Sequence, residues 1–248
     1  MKKIIQKHYV ASFYVITMIF SFCLLTLNLV FKSVGNYSVF FTQFAPAFAV
    51  VFIAILLKDK GIFYEMKNRF SLQGRSIKWL IPAIFIPVLC IVDSSLVMST
   101  FNITYVSWDG DVMFYILNIA AMLAGCCAEE IGWRGFLLPH LQKRYSPFFS
   151  SIIVGVLWGA WHLNFTGGIL GFILYTVTII EMAILMTWLF NKTNGNLFLM
   201  TMWHFMFNLS SHIFLWERFS IYLYMVESII FGVACVIIVL SSRKDFFK

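Results

Sequence analysis

Apolar residues come in eight runs along the chain, at roughly 9–31, 39–57, 78–98, 112–138, 148–163, 168–190, 195–214 and 219–240. A helix needs about 20 residues to cross the hydrocarbon of a bilayer, and most of these runs reach that length. The run at 148–163 is short and is expected to tilt or to extend into its loop. Helix breakers stand between the runs: Gly35-Asn36, Gly61, Pro147, Gly167-Gly168 and Asn194-Gly195. The pattern predicts an all-α, polytopic membrane protein, a bundle of about eight transmembrane helices forming one integral membrane domain over 1–248. The first run, Tyr9 to Phe31, is too long for the apolar core of a signal peptide and reads as a retained helix. The longest polar stretch, Lys58 to Lys78, predicts a short amphipathic helix on the membrane surface through Ile62, Phe63, Met66 and Phe70.

Composition agrees with the pattern. Hydrophobic residues make up 61% of the chain and charged residues 12%, against roughly 25% charged in an ordinary soluble domain. The net charge of +7 would raise the question of nucleic acid in a soluble protein. Here the basic residues sit in the loops, so membrane lipid is the expected partner and nucleic acid is not. With a cytoplasmic N-terminus, 15 Lys and Arg fall in cytoplasmic segments, while only Lys32 and Arg218 fall outside. That bias predicts a multi-pass protein of the cell membrane with both termini cytoplasmic. The short tails and compact loops look bacterial. The five cysteines, Cys23, Cys90, Cys126, Cys127 and Cys235, all lie in apolar runs without a CxxC pair and read as small buried hydrophobes.

Ionisable residues within the runs change the picture, because each costs a few kcal/mol on insertion scales and needs a partner or a task. They are Asp93, Glu129, Glu130, Arg134, His162, Glu181, His204 and Glu227, with His140 and His212 near helix ends. Adjacent helical positions are about 100° apart, so Glu129 and Glu130 face different ways. Glu130 and Arg134 stand at i and i+4 in the favourable acid-first order and can neutralise each other. Glu129 is then left without a local counter-charge. Trp158 lies one turn before His162 on the same face, and His204 and Asn208 share a face of the seventh helix. At about 1.5 Å rise per residue, Glu129, His162 and His204 can occupy one layer near the midplane.

A carboxylate, two imidazoles and an amide in one water-accessible pocket form a hydrolytic constellation. The carboxylate can take a proton from water, and His or Asn can donate to an oxyanion. Glu129, His162 and His204 are also acceptable zinc ligands. Asn208 beside His204 suits an oxyanion better than a metal, so no tightly held zinc is expected. Taken on their own, these residues also fit a salt-bridged cluster that pins helices together.

The motifs resemble those of the CPBP family of intramembrane proteases, also called the Abi or CAAX-protease family. The family's E-E-x-x-x-R, often continued by G-x-L, is matched by Glu129-Glu130-Ile131-Gly132-Trp133-Arg134-Gly135-Phe136-Leu137. Its F-x-x-x-H is represented by Trp158-Gly159-Ala160-Trp161-His162, with Trp158 in place of the usual Phe. Its H-x-x-x-N is matched by His204-Phe205-Met206-Phe207-Asn208, and Asn194-Gly195-Asn196-Leu197 resembles the T-G-S-L-W lead-in. The resemblance covers about residues 115–215, within a motif-bearing core of about 112–214. It implies that Glu129 and His162 activate the attacking water, that His204 and Asn208 stabilise the oxyanion, and that Glu130 and Arg134 hold the site together. It also implies a membrane-associated peptide or protein as substrate, in CAAX-type processing, peptide maturation or bacteriocin self-immunity.

Two other readings remain. A carrier would use Glu129, Glu130 and Glu181 as relay groups, although no broken helices or repeat symmetry are evident. A non-catalytic membrane immunity scaffold would keep the motifs for stability. Glu181 is unexplained by the protease reading.

Overall fold

Within the described residues the apolar runs form helices, because an unsatisfied backbone amide in lipid costs several kcal/mol and only intrahelical bonding satisfies a single span. In the computed structural model the described residues are 5, 8–30, 41–72, 74–101, 112–215 and 220–247. In chain order they form α1 (Tyr9–Val30), α2 (Ala45–Leu57), α3 (Gly61–Arg69), a 3₁₀ turn (Gly74–Trp79), α4 (Leu80–Ser99) and α5 (Val112–Glu130). A π-helical segment (Ile131–Leu137) leads into α6 (Leu138–Gln142), followed by α7 (Pro147–Trp161), α8 (Gly168–Lys192), α9 (Leu197–Phe214), α10 (Ile221–Ser241) and α11 (Arg243–Phe246). The protein is thus an all-α, polytopic membrane protein. Five stretches are long and apolar enough to cross a membrane: Tyr9–Thr26, Ile77–Ser99, Tyr115–Gln142, Gly168–Lys192 and Ile221–Ser241. Helices α2 and α7 are apolar but shorter, α7 matching the short run seen in the sequence.

The surface helix expected between Lys58 and Lys78 is α3, none of whose residues is buried. Its position is fixed through the basic end of the bundle. Arg69 stacks on Phe190 at 5.4 Å, and the Asn196 amide donates to the Ser71 carbonyl at 2.8 Å. Lys192 pairs with Asp245 at 2.7 Å, tying the end of α8 to α11. These contacts gather basic segments that the charge pattern assigns to one side. Lys32 and Arg218, the residues assigned to the other side, lie outside the described residues.

The helices that carry the motifs are locked by short-range chemistry. Ser146 caps α7 by accepting from the Phe149 amide at 3.4 Å, with Pro147 in the first turn. Asn196 caps α9 by accepting from the Leu199 amide at 3.0 Å. Gly195, at φ +78°, closes the turn from α8 with its N–H on the Phe190 carbonyl at 2.7 Å. Gly155 and Gly159 let α7 lie directly against α8: a Cβ on Gly155 would come 2.5 Å from Ile180 Cα, and one on Gly159 3.0 Å from Thr176 Cα. This is the small-xxx-small packing of membrane helices. It holds Trp158 and His162, on the same α7, at a set depth. Helix α9 packs against α4 and α5, and α2 packs against the π-helical segment, so the motif residues meet in the middle of the bundle.

The cysteines are free. Cys90, Cys126 and Cys235 are buried as expected, Cys127 is half-buried, and Cys23 is exposed on α1. Asp93 is also exposed, on the outer face of α4.

Candidate active site

The first motif straddles a change of helix type. Glu129 and Glu130 end α5, and the π-helical segment begins at Ile131. A π-helical stretch interrupts regular α pairing and often marks functional sites. Arg134 still reaches Glu130: Nη1 donates to Oε1 at 2.9 Å, and both side chains are fully buried. The predicted ion pair is therefore present. Breaking such a pair costs about 3–5 kcal/mol, because a lone charge is left behind.

Glu130 has a second partner that the spacing alone does not disclose. His204 Nδ1, from α9, donates to the same Oε1 at 2.9 Å. A carboxylate oxygen can only accept here, so Nδ1 carries the proton and Nε2 is the remaining ring nitrogen. The Glu130 carboxylate thus orients the first residue of the third motif.

Glu129 points away from this pair, as the 100° offset requires. Its carboxylate has neutral donors at both oxygens: Gln43 Nε2 to Oε1 at 3.1 Å, and Trp158 Nε1 to Oε2 at 2.8 Å. Its side chain is 1% exposed. No Lys or Arg among the described residues pairs with it directly, so of the two adjacent motif acids it is the one without a bonded counter-charge.

Trp158 is the hub of the site. Its ring faces the Arg134 guanidinium at 4.1 Å and stands edge-on to His204 at 5.2 Å. Its carbonyl accepts from His162 Nδ1 at 2.8 Å, which again leaves Nε2 as the lone-pair nitrogen. The indole N–H on Glu129 is a bond that Phe, the usual residue of the pattern, cannot make. Reading Trp158 only as an aromatic of the right shape misses it.

His162 caps the end of α7 and is half-buried, packed between Trp161 and Tyr175 at 4.9 and 5.3 Å. Asn208, one turn beyond His204, donates its amide to Cys126 Sγ at 3.3 Å. Glu129, His162, His204 and Asn208 are thus gathered around Trp158 and the end of α5. Among the described residues no three His, Cys, Asp or Glu side chains group closely enough to be marked as metal ligands.

Glu181 and Glu227 belong elsewhere. Glu181 lies on α8 against Gly232 of α10, and its buried Oε2 accepts no hydrogen bond from a described residue. Glu227 is 6% exposed on α10 and makes no ion pair with a described residue. Neither bonds to the motif residues. Gln43 contributes to the site but belongs to no motif, and its only sequence signal is a polar residue inside an apolar run.

Fold and site together define a multi-pass membrane protein with a polar, hydrogen-bonded centre inside its bundle. The family model for type II CAAX prenyl endopeptidase, Rce1-like, matches residues 111–210, the segment holding all three motifs. The chain is 24% identical to CAAX prenyl protease 2 of Methanococcus maripaludis over 98% of its own length and 96% of that protein's. It is 28% identical to lysostaphin resistance protein A of Staphylococcus haemolyticus over 63% of its length, a match spanning 43% of that longer relative. The segment that carries the three motifs is thus similar to the CAAX prenyl endopeptidase family, and the chain is similar to a CAAX prenyl protease over nearly its whole length.

Proposed function

We propose that the protein hydrolyses a peptide bond of a membrane-associated peptide or protein, using a water activated by Glu129 and His162. The observation that carries this reading is the contrast between two adjacent buried acids. Glu130 is consumed by Arg134 and His204, whereas Glu129 is held only by neutral N–H donors and has no bonded counter-charge.

Each residue has a chemical role. Glu129 takes a proton as water attacks the carbonyl carbon, with His162 Nε2 as a second acceptor that orients the water. Negative charge then develops on the carbonyl oxygen. His204, with Nδ1–H held on Glu130, offers Nε2–H to that oxygen when both ring nitrogens carry protons, and Asn208 offers its amide. The Asn208 amide rests on a thiol sulfur, a weak acceptor, and exchanges it readily for an oxyanion. The proton held by Glu129 passes to the leaving amine. No step requires a metal.

The Methanococcus maripaludis relative, whose name is that of a CAAX prenyl protease, suggests the substrate class. A lipid-modified C-terminal peptide would reach a bundle-centred site from the membrane. The test is cleavage by purified protein of one reporter peptide with and without a C-terminal prenyl-cysteine motif. Faster cleavage of the prenylated form supports CAAX-type processing. Equal rates point to another membrane peptide, and Glu129→Gln serves as the inactive control.

A further inference from the structure

Gln43 lies in the turn immediately before α2, outside the 111–210 segment and outside every motif. Its carboxamide reaches across to α5 and donates to Glu129 Oε1 at 3.1 Å. Trp158 holds the other oxygen from α7 at 2.8 Å. The carboxylate is therefore fixed at both oxygens from two separate helical elements. The amide is not satisfied for its own sake, because Gln43 Oε1 is buried and accepts no hydrogen bond from a described residue. Turning the amide over would set its oxygen against a carboxylate oxygen, so contact with the ionised Glu129 determines which way it points.

The opposite helix is shaped to admit this side chain. Gly125 lies one turn before Glu129 on the same face of α5. A Cβ there would stand 2.1 Å from Gln43 Oε1 and 2.8 Å from its Cδ. Any larger residue at 125 must displace the carboxamide from Glu129.

We propose that Gln43 is a positioning residue for Glu129: with Trp158 it fixes the plane of the carboxylate that receives the proton, and Gly125 is the notch that makes this possible. The proposal rests on Glu129 being the base.

Four purified variants test it: Gln43→Met, Gly125→Ala, their double, and Trp158→Phe, beside Glu129→Gln. Methionine keeps the length and loses the donor. Loss of one hydrogen bond to a charged group should lower kcat roughly 10- to 100-fold in Gln43→Met. KM should stay within about two-fold, since the interaction is made to the base and not to the substrate. Gly125→Ala should fall in the same direction, and the double should be no worse than the worse single, because both remove one contact. A merely structural role would give independent losses that multiply. Wild-type kcat in folded Gln43→Met, or multiplying effects in the double, overturns the proposal. Should Gln43→Met not fold, unchanged kcat in folded Gly125→Ala overturns it equally. Full activity in Glu129→Gln instead overturns the base assignment itself, whatever Gln43 does.

Discussion

His204 Nδ1 lies 2.9 Å from Glu130 Oε1, so the second glutamate of the first motif orients the histidine of the third. The link joins the end of α5 to the middle of α9. It makes Glu130 a scaffold for an imidazole as well as the counter-ion of Arg134. The two adjacent carboxylates therefore divide the work of the site between them.

Arg134→Ala tests the scaffold. The guanidinium and the Glu130 carboxylate are both fully buried, and removing one leaves the other uncompensated. The expected loss is about 3–5 kcal/mol of stability, with His204 losing its anchor as well. Folded yield and the detergent melting temperature should both drop sharply. A melting curve like that of wild type would show that the pair does not support the fold.

The oxyanion assignment gives a graded result. Removing one oxyanion donor typically costs about 100- to 1,000-fold in rate. Asn208→Ala should leave a measurable residual rate of that size, because His204 remains. His204→Ala should be slower still, since it removes a donor and leaves Glu130 with one partner fewer. Single-turnover cleavage of a reporter peptide by folded variants compares them. Asn208→Ala running at the wild-type rate would take Asn208 out of the mechanism.

Much of this was legible in the sequence, for identifiable reasons. Within the described residues each apolar run holds a helix, because lipid enforces helical bonding, but only five of them are long and apolar enough to cross a membrane. The i,i+4 spacing predicted the Glu130–Arg134 pair correctly, even though the backbone turns π-helical at Ile131. The separation of Glu129 from Glu130 also followed from helical geometry. Contacts between distant elements did not show: His204 on Glu130, Gln43 on Glu129, and the Trp158 indole on Glu129 are separated by 74, 86 and 29 residues. Spacing along one helix carries no information about them. Glu181 remains without a role in the site, and nothing in the structure explains its burial.

Metal dependence has a direct measurement. The proposed chemistry runs on the side chains of Glu129, His162, His204 and Asn208 alone. Activity should therefore persist after exhaustive dialysis against a strong chelator, with no stoichiometric zinc in the active protein. Loss on chelation, with recovery on adding zinc, would favour a metal-bound water over one activated by side chains.

The charge pattern predicts the orientation. Reporter tags at Lys60 and Lys244 should both read cytoplasmic, and one at Gly167 external. Contacts such as Lys192 with Asp245 already draw basic segments together at one end. A tag at Lys244 that reads external would reverse the assignment of the termini.

The central claim is that Glu129 is the base. Purified Glu129→Gln keeps the size of the side chain and removes its ability to take a proton. Measured on a reporter peptide against wild type, with melting behaviour as the control, it should fold normally and show no detectable cleavage. Cleavage at the wild-type rate by folded Glu129→Gln would contradict the mechanism.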